Sequence, residues 1–194
     1  MASLLAFLGV STLLIVTPGQ DTALTIRNTL TGGRRAGLRT ALGVSSGQAV
    51  WALGAAAGLA ALLQASEPAF LALRLVGASY LVFLGGHALW SALRGNRATQ
   101  VGGRRGSPFR QGLLSNLGNP KMAVFFTSLL PQFASSFGGL LAHGLVFSAL
   151  TLAWLSVVAH AGAALRRPVV RRVVDAVTGV VLVALGLRVA GERR

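Results

Sequence analysis

Apolar positions dominate this chain in long blocks, and polar positions interrupt those blocks in two different ways. Residues 4–16, 41–63, 75–93 and 122–165 contain no Asp, Glu, Lys or Arg. The last block is 44 residues long, room for two spans of about 20 residues each. Four spans read as continuous helices, over 36–63, 69–93, 138–165 and 169–190. Two do not. Residues 4–16 make a helix of only about 20 Å, against the ~30 Å hydrocarbon core of a bilayer. That span reaches across only by continuing through the polar residues 17–21 to about residue 26. Residues 109–117 are short in the same way, and 122–130 complete them beyond Asn119, Pro120 and Lys121. The pattern predicts an all-α membrane protein of six transmembrane helices, the first broken at Pro18 and the fourth at Pro120.

Both breaks read as helix starts. Thr17 and Asn119 are good N-caps, and Pro18 and Pro120 then occupy the first helical position, where the missing N–H costs nothing. Thr17 with Gln20 three residues on also matches a capping box. A helix that starts within a membrane leaves bare N–H groups and a positive dipole end there, which suits an anion. Matched interruptions in two halves of a membrane chain point to a transport site. The halves do match: Pro18 pairs with Pro120, Pro68 with Pro168, and residues 81–85 with 182–186. Three spans per half is an odd number, so the second copy enters upside down. The prediction is an inverted 3+3 repeat in one transporter domain, 1–194, with repeats 1–94 and 108–194 joined by a basic linker 95–107.

Composition strengthens the membrane reading. Of the residues, 53% are hydrophobic and 11% charged, and mean hydropathy is +0.67, where a soluble domain carries about a quarter charged residues. The net charge of +14 is distributed as the positive-inside rule distributes it. Arginines crowd the first, third and fifth connections, while the second carries only Glu67 and the fourth no charge. Those basic connections are therefore expected in the cytoplasm and both termini outside. No soluble face remains to offer the charge to nucleic acid. Absent cysteine excludes disulfides, thiolate metal sites and thiol redox chemistry. The apolar N-terminus lacks a basic leader and a cleavage site, so it reads as the first span. Gly43, Gly47, Gly54 and Gly58 share one face of the second span, a pattern for close helix packing.

Two charged residues stand out. Asp21 follows the first 13 apolar residues, and a charged Asp in mid-bilayer costs about 2.5–3.5 kcal/mol on insertion scales, so it has a function or a partner. Lys121 is the single lysine among 17 arginines and follows the second break. An amino acid carries an ammonium and a carboxylate side by side. Asp21 suits the first; Lys121 and the N–H groups that follow Thr17 or Asn119 suit the second. The candidate substrate- and proton-binding set is Thr17, Gly19, Gln20, Asp21, Asn119 and Lys121. Protonation of Asp21 would release an ammonium and couple transport to protons. A structural Asp21–Lys121 ion pair is the plainer alternative. Histidines 87, 143 and 160 have no ligand spacing, so no metal is expected. No cofactor-binding or nucleophile motif appears, and the chain does not read as an enzyme.

At these residues the chain resembles the LysE/RhtB family of amino-acid exporters. The resemblance covers TPGQD at 17–21, GRRAGL at 33–38, YLVFLG at 80–85 and NLGNPK…FF…PQF from 116 to 133. It implies a multi-pass protein of the bacterial inner membrane, whose partners are lipid, a small amino acid and protons. The RhtB-like branch implies export of neutral amino acids such as homoserine, threonine or leucine by proton antiport, and is compatible with a homo-oligomer. Export of another small solute, or of a metal ion on the same architecture, is the alternative. Gln20 departs from the family pattern, which has a second proline there.

Overall fold

The computed structural model describes residues 2–17, 19–65 and 106–161, with isolated positions between 68 and 93 and between 173 and 187, each of them helical. Pro18, Glu67, His87, Pro168, Asp175, Glu192 and the arginine-rich stretch 94–105 lie outside the described residues, as do most of the matched segments 81–85 and 182–186. The order is α1 (Ala2–Val16), α2 (Gln20–Ala65), α3 (Pro108–Leu117), α4 (Pro120–Val124) and α5 (Phe137–Ala161). Between α4 and α5 the chain makes a π-helical turn at Phe125–Leu129 and a 3₁₀ turn at Leu130–Gln132.

The first expected connection is far tighter than a loop. Helical hydrogen bonding runs on through α2, and the chain turns at one residue, Gly33, with φ 75° and ψ 177°. A side chain is strained at that φ, so glycine makes the corner. Residues 31–35 around it, including Arg34 and Arg35, are exposed. Behind the corner, Asn28 donates to Thr40 Oγ1 at 2.9 Å and to Gln111 Oε1 at 3.1 Å, tying both arms of α2 to α3.

Helix α5 is long and apolar enough to cross a membrane, and Leu4–Val16 with Gln20–Gly58 would form a second, bent crossing of 50°. In α5 the buried side is a helical stripe, Leu140, Gly144, Phe147, Thr151, Leu155 and Val158. Its outer side is also apolar, with Leu145, Val146 and Val157 exposed. Buried positions elsewhere include Asp21, Thr25, Asn28, Thr40, Gln48, Asn116 and Asn119. Apolar side chains outside and polar ones inside suit lipid as the solvent.

Helix α2 packs against both α3 and α5. At the α2–α3 crossing a Cβ on Gly43 would fall 2.0 Å from the Phe109 carbonyl oxygen, and one on Gly112 2.2 Å from that of Thr40. The backbones touch there, which only glycine permits. Gly47 packs on the Asn116 side chain, whereas a Cβ on Gly54 or Gly58 meets nothing within 4 Å. Among the described residues the glycine face thus packs closely over its first half. Below it, Phe125 and Phe126 both turn inward, Phe125 stacking on Phe147 at 4.0 Å. The wide π turn lets neighbouring residues face the same core.

Candidate functional site

The two breaks meet. Asn119 caps α4 as expected: its backbone is extended (φ −86°, ψ 109°), its side chain accepts from the Lys121 N–H at 3.0 Å, and Pro120 sits at the start. The first break is built differently. Helix α2 begins at Gln20, and Gly19 supplies the first helical acceptor, to the Ala23 N–H at 3.0 Å. Gly19, not Thr17, therefore holds the N-cap place. Thr17 belongs to the preceding helix, its N–H and its hydroxyl both donating to the Leu13 carbonyl. The capping box gives way because a threonine hydroxyl four residues past a helical carbonyl returns to it readily.

Asp21 enters the first turn of α2, where the helix dipole favours an anion. Its carboxylate accepts three hydrogen bonds from the other break. Ser115 Oγ donates at 2.8 Å, Asn116 Nδ2 at 2.9 Å and Asn119 Nδ2 at 2.9 Å. Asp21 is 8% exposed, Asn119 5% and Asn116 fully buried, so these charge-assisted bonds form away from solvent. Lys121 makes the return connection. Its ammonium donates to the Leu14 carbonyl at 2.9 Å and to the Thr17 carbonyl at 3.4 Å. Both carbonyls lie at the C-terminal end of α1, where the dipole favours a cation.

The hydrogen bonds of the two charges are not those of the alternative, a direct Asp21–Lys121 ion pair. Each charge is held by neutral groups of the opposite break. Gln20, expected as a capping partner, is exposed and donates its amide N–H across to the Ser115 carbonyl. Proline at that position has no such reach.

A small pocket opens between the breaks, lined by Gly19, Asp21, Asn119 and Lys121 from the predicted set. Thr17 and Gln20 stand beside it without lining it. Sequence reasoning missed Thr22, Gln48 and Thr151 in its wall, and Ser115 and Asn116 behind Asp21. All are uncharged, and a search for charge in apolar spans passes over them. The one available signal was a lone glutamine, Gln48, inside the uncharged stretch 41–63. The remaining wall is aliphatic and aromatic, from Leu14, Ile15, Met122, Phe147 and Leu155. Free space amounts to about 20 Å³, where one water needs roughly 10–15 Å³ on the same scale. In this conformation the pocket is closed to anything as large as an amino acid.

His143 is fixed by a 2.8 Å contact of Nδ1 with the Gly139 carbonyl and by an edge-on contact with Phe7. Among the described residues no three of His, Asp, Glu or Cys gather as metal ligands.

Helices broken at buried charges, with an apolar exterior, define a membrane translocator. Residues 12–193 match the family described as LysE type translocator, and the chain belongs to that family. It is 28% identical to the uncharacterized membrane protein YrhP of Bacillus subtilis (strain 168), over 97% of this chain and 98% of YrhP. It is 34% identical to a leucine efflux protein of Enterobacter sp. (strain 638), over 62% of this chain and 58% of that protein. The uncharacterized membrane protein PA4757 of Pseudomonas aeruginosa is 38% identical, over 61% and 58%. No solved structure matches the chain.

Proposed function

We propose that this protein is a secondary exporter of neutral, aliphatic amino acids, with leucine as the first candidate, working by proton antiport across the cytoplasmic membrane. The observation that carries the reading is the reciprocal embedding of Asp21 and Lys121. One buried anion and one cation border the same pocket, each hydrogen-bonded by neutral groups that a ligand can replace. A zwitterion offers matching groups. Its ammonium takes the place of the Ser115, Asn116 and Asn119 donors at Asp21, and its carboxylate takes the place of the α1 carbonyls at Lys121. The apolar wall suits an aliphatic side chain, and the leucine efflux protein among the relatives supports that choice.

The site also supports a 3+3 inverted repeat. Lys121 bonds the carbonyls of Leu14 and Thr17, and Asp21 bonds the side chains of Asn116 and Asn119; Leu14 lies 102 positions before Asn116 and Thr17 102 before Asn119, as Pro18 does before Pro120, while Asp21 and Lys121 themselves are 100 apart. A pseudo-twofold axis between the breaks accounts for this. The cross-bonds hold the two halves together while the site is empty. A bound zwitterion releases them, which allows the halves to rock and the pocket to open on the other side. A proton taken by Asp21 cancels the charge that holds the ammonium and discharges the cargo.

Efflux of labelled amino acids from proteoliposomes, with and without a proton gradient, tests the reading. Gradient-stimulated efflux of leucine, isoleucine or valine is expected, and its loss in Asp21→Asn with the protein still folded. Absence of efflux for every amino acid in the panel would refute it.

A further inference from the structure

We propose that Gln48 and Thr151 are substrate-recognition residues: the Gln48 amide oxygen accepts an N–H of the cargo's ammonium, and the Thr151 hydroxyl donates to its carboxylate. This rests on the amino-acid reading and extends it to the arm of α2 beyond Gly33 and to α5.

Five buried side-chain atoms among the described residues have no hydrogen-bond partner: Ser11 Oγ, Gln48 Oε1, Asn116 Oδ1, Thr151 Oγ1 and Trp154 Nε1. Of these residues only Gln48 and Thr151 line the pocket. Gln48 is 2% exposed and Thr151 6%. Buried polar atoms are nearly always paired, because water's hydrogen bonds are lost on burial. Two residues with unpaired atoms in the wall of one pocket therefore mark a place where another molecule can complete the bonding.

The chemistry of each atom follows from its neighbours. Gln48 Nε2 lies 3.4 Å from Met122 Sδ, and a thioether sulfur can only accept. The amide nitrogen thus faces the sulfur, and the oxygen, an acceptor only, is left for a donor. An ammonium is the donor that an amino acid brings. Thr151 departs from its fellows differently. Thr25, Thr29, Thr40, Ser148 and Ser156 each return the hydroxyl to the carbonyl four residues back. Thr151 does not, although its position in α5 offers the same acceptor. Its hydroxyl stays free to donate. Phe147 and Leu155, one turn to either side on α5, line the same pocket and make an apolar wall for the cargo's side chain.

The test combines transport kinetics with melting of the purified full chain in detergent, with and without leucine. Variants are Gln48→Leu, Thr151→Val, their double and Ser45→Ala. Ser45 donates to the Ser148 carbonyl across the same helices at 2.6 Å and serves as a purely structural hydroxyl. Removing one bond to a charged group raises KM about tenfold, so each recognition variant is expected to show that rise with a smaller change in maximal rate. The leucine-induced rise in melting temperature should shrink in parallel, while the melting temperature of the empty protein holds or increases, since an unpaired polar atom has been removed. Ser45→Ala should do the opposite: lower melting temperature, unchanged KM. Wild-type efflux with unchanged KM in both recognition variants, or a lowered empty-protein melting temperature with unchanged KM, overturns this assignment and leaves the exporter reading standing. If the wild-type protein moves no amino acid, the exporter reading falls and takes the assignment with it.

Discussion

The break between α3 and α4 and the break between α1 and α2 solve the same problem with different means. Both must satisfy backbone groups where a helix stops and restarts. The second break does most of this locally. The Gly118 N–H reaches Leu114, the Asn119 N–H reaches Asn116, and the Asn119 side chain caps α4. The first break depends on its partner. The Leu14 and Thr17 carbonyls accept from the Lys121 ammonium, and Gln20 reaches for Ser115. A break closed by its own residues can keep its shape while the molecule moves. One closed from across the pocket must reorganise when that partner leaves. The comparison assigns stiffness to the second break and mobility to the first.

Asp21→Asn strikes hardest at this arrangement. Three donors lose an ionised acceptor, and hydrogen bonds to charged groups are worth more than neutral ones, so stability should fall by about 3 kcal/mol. Efflux should drop at least about 100-fold, since the single charge that attracts an ammonium is gone. Melting curves and proteoliposome efflux read the two effects separately. Wild-type efflux in this variant would mean that the carboxylate only ties the halves together.

Lys121→Met keeps the length and apolar stem of the side chain and removes the ammonium. Its bonds to the Leu14 and Thr17 carbonyls are then lost, and stability is expected to fall by about 2 kcal/mol. Hydrogen exchange should locate the loosening in residues 10–17 of the first break, leaving α4 protected. If α4 loosens first instead, the assignment of stiffness is reversed. Asn119→Ala probes the other side. It removes a cap worth about 1 kcal/mol and one of three donors to Asp21. Asn119→Ser, which can cap but reaches less far, should restore the cap portion and not the bond to Asp21. Equal stability of the alanine and serine variants would show that the cap is idle.

The legible part of this site is the part written in strong local signals. Asn119-Pro120 sets a cap within two residues, so its geometry was readable. Asp21 and Lys121 were visible as charges in apolar surroundings. Their protein partners were not, because those are neutral groups about 100 positions away, which no local pattern marks. Thr17 misled for a local reason: a threonine at the end of one helix and three residues before a glutamine satisfies two patterns, and the preceding carbonyl won. The corner at Gly33 was hidden inside a polar, arginine-rich stretch that reads as loop, while continuous helical bonding on either side makes it a single-residue turn. Gln48 and Thr151 carry no charge and share no spacing, so only a three-dimensional pocket brings them together.

The mildest test concerns Gln20, a place where this chain departs from the pattern expected of its family. Gln20→Pro removes the amide bond to the Ser115 carbonyl, a neutral bond worth about 0.5–1.5 kcal/mol. It also puts proline at the first position of α2, where φ is already suitable, which stabilises by about 0.4–1 kcal/mol through the unfolded chain. The two effects nearly cancel, so melting should shift little and efflux should persist. The informative quantity is the rate. If the Gln20–Ser115 bond must break each time the halves part, its loss should raise the maximal rate of efflux with KM unchanged. A fall in rate would make the bond part of a conformation the protein needs in transit. The first break would then be held from across the pocket even while it works, and its mobility would have to come from Lys121 alone.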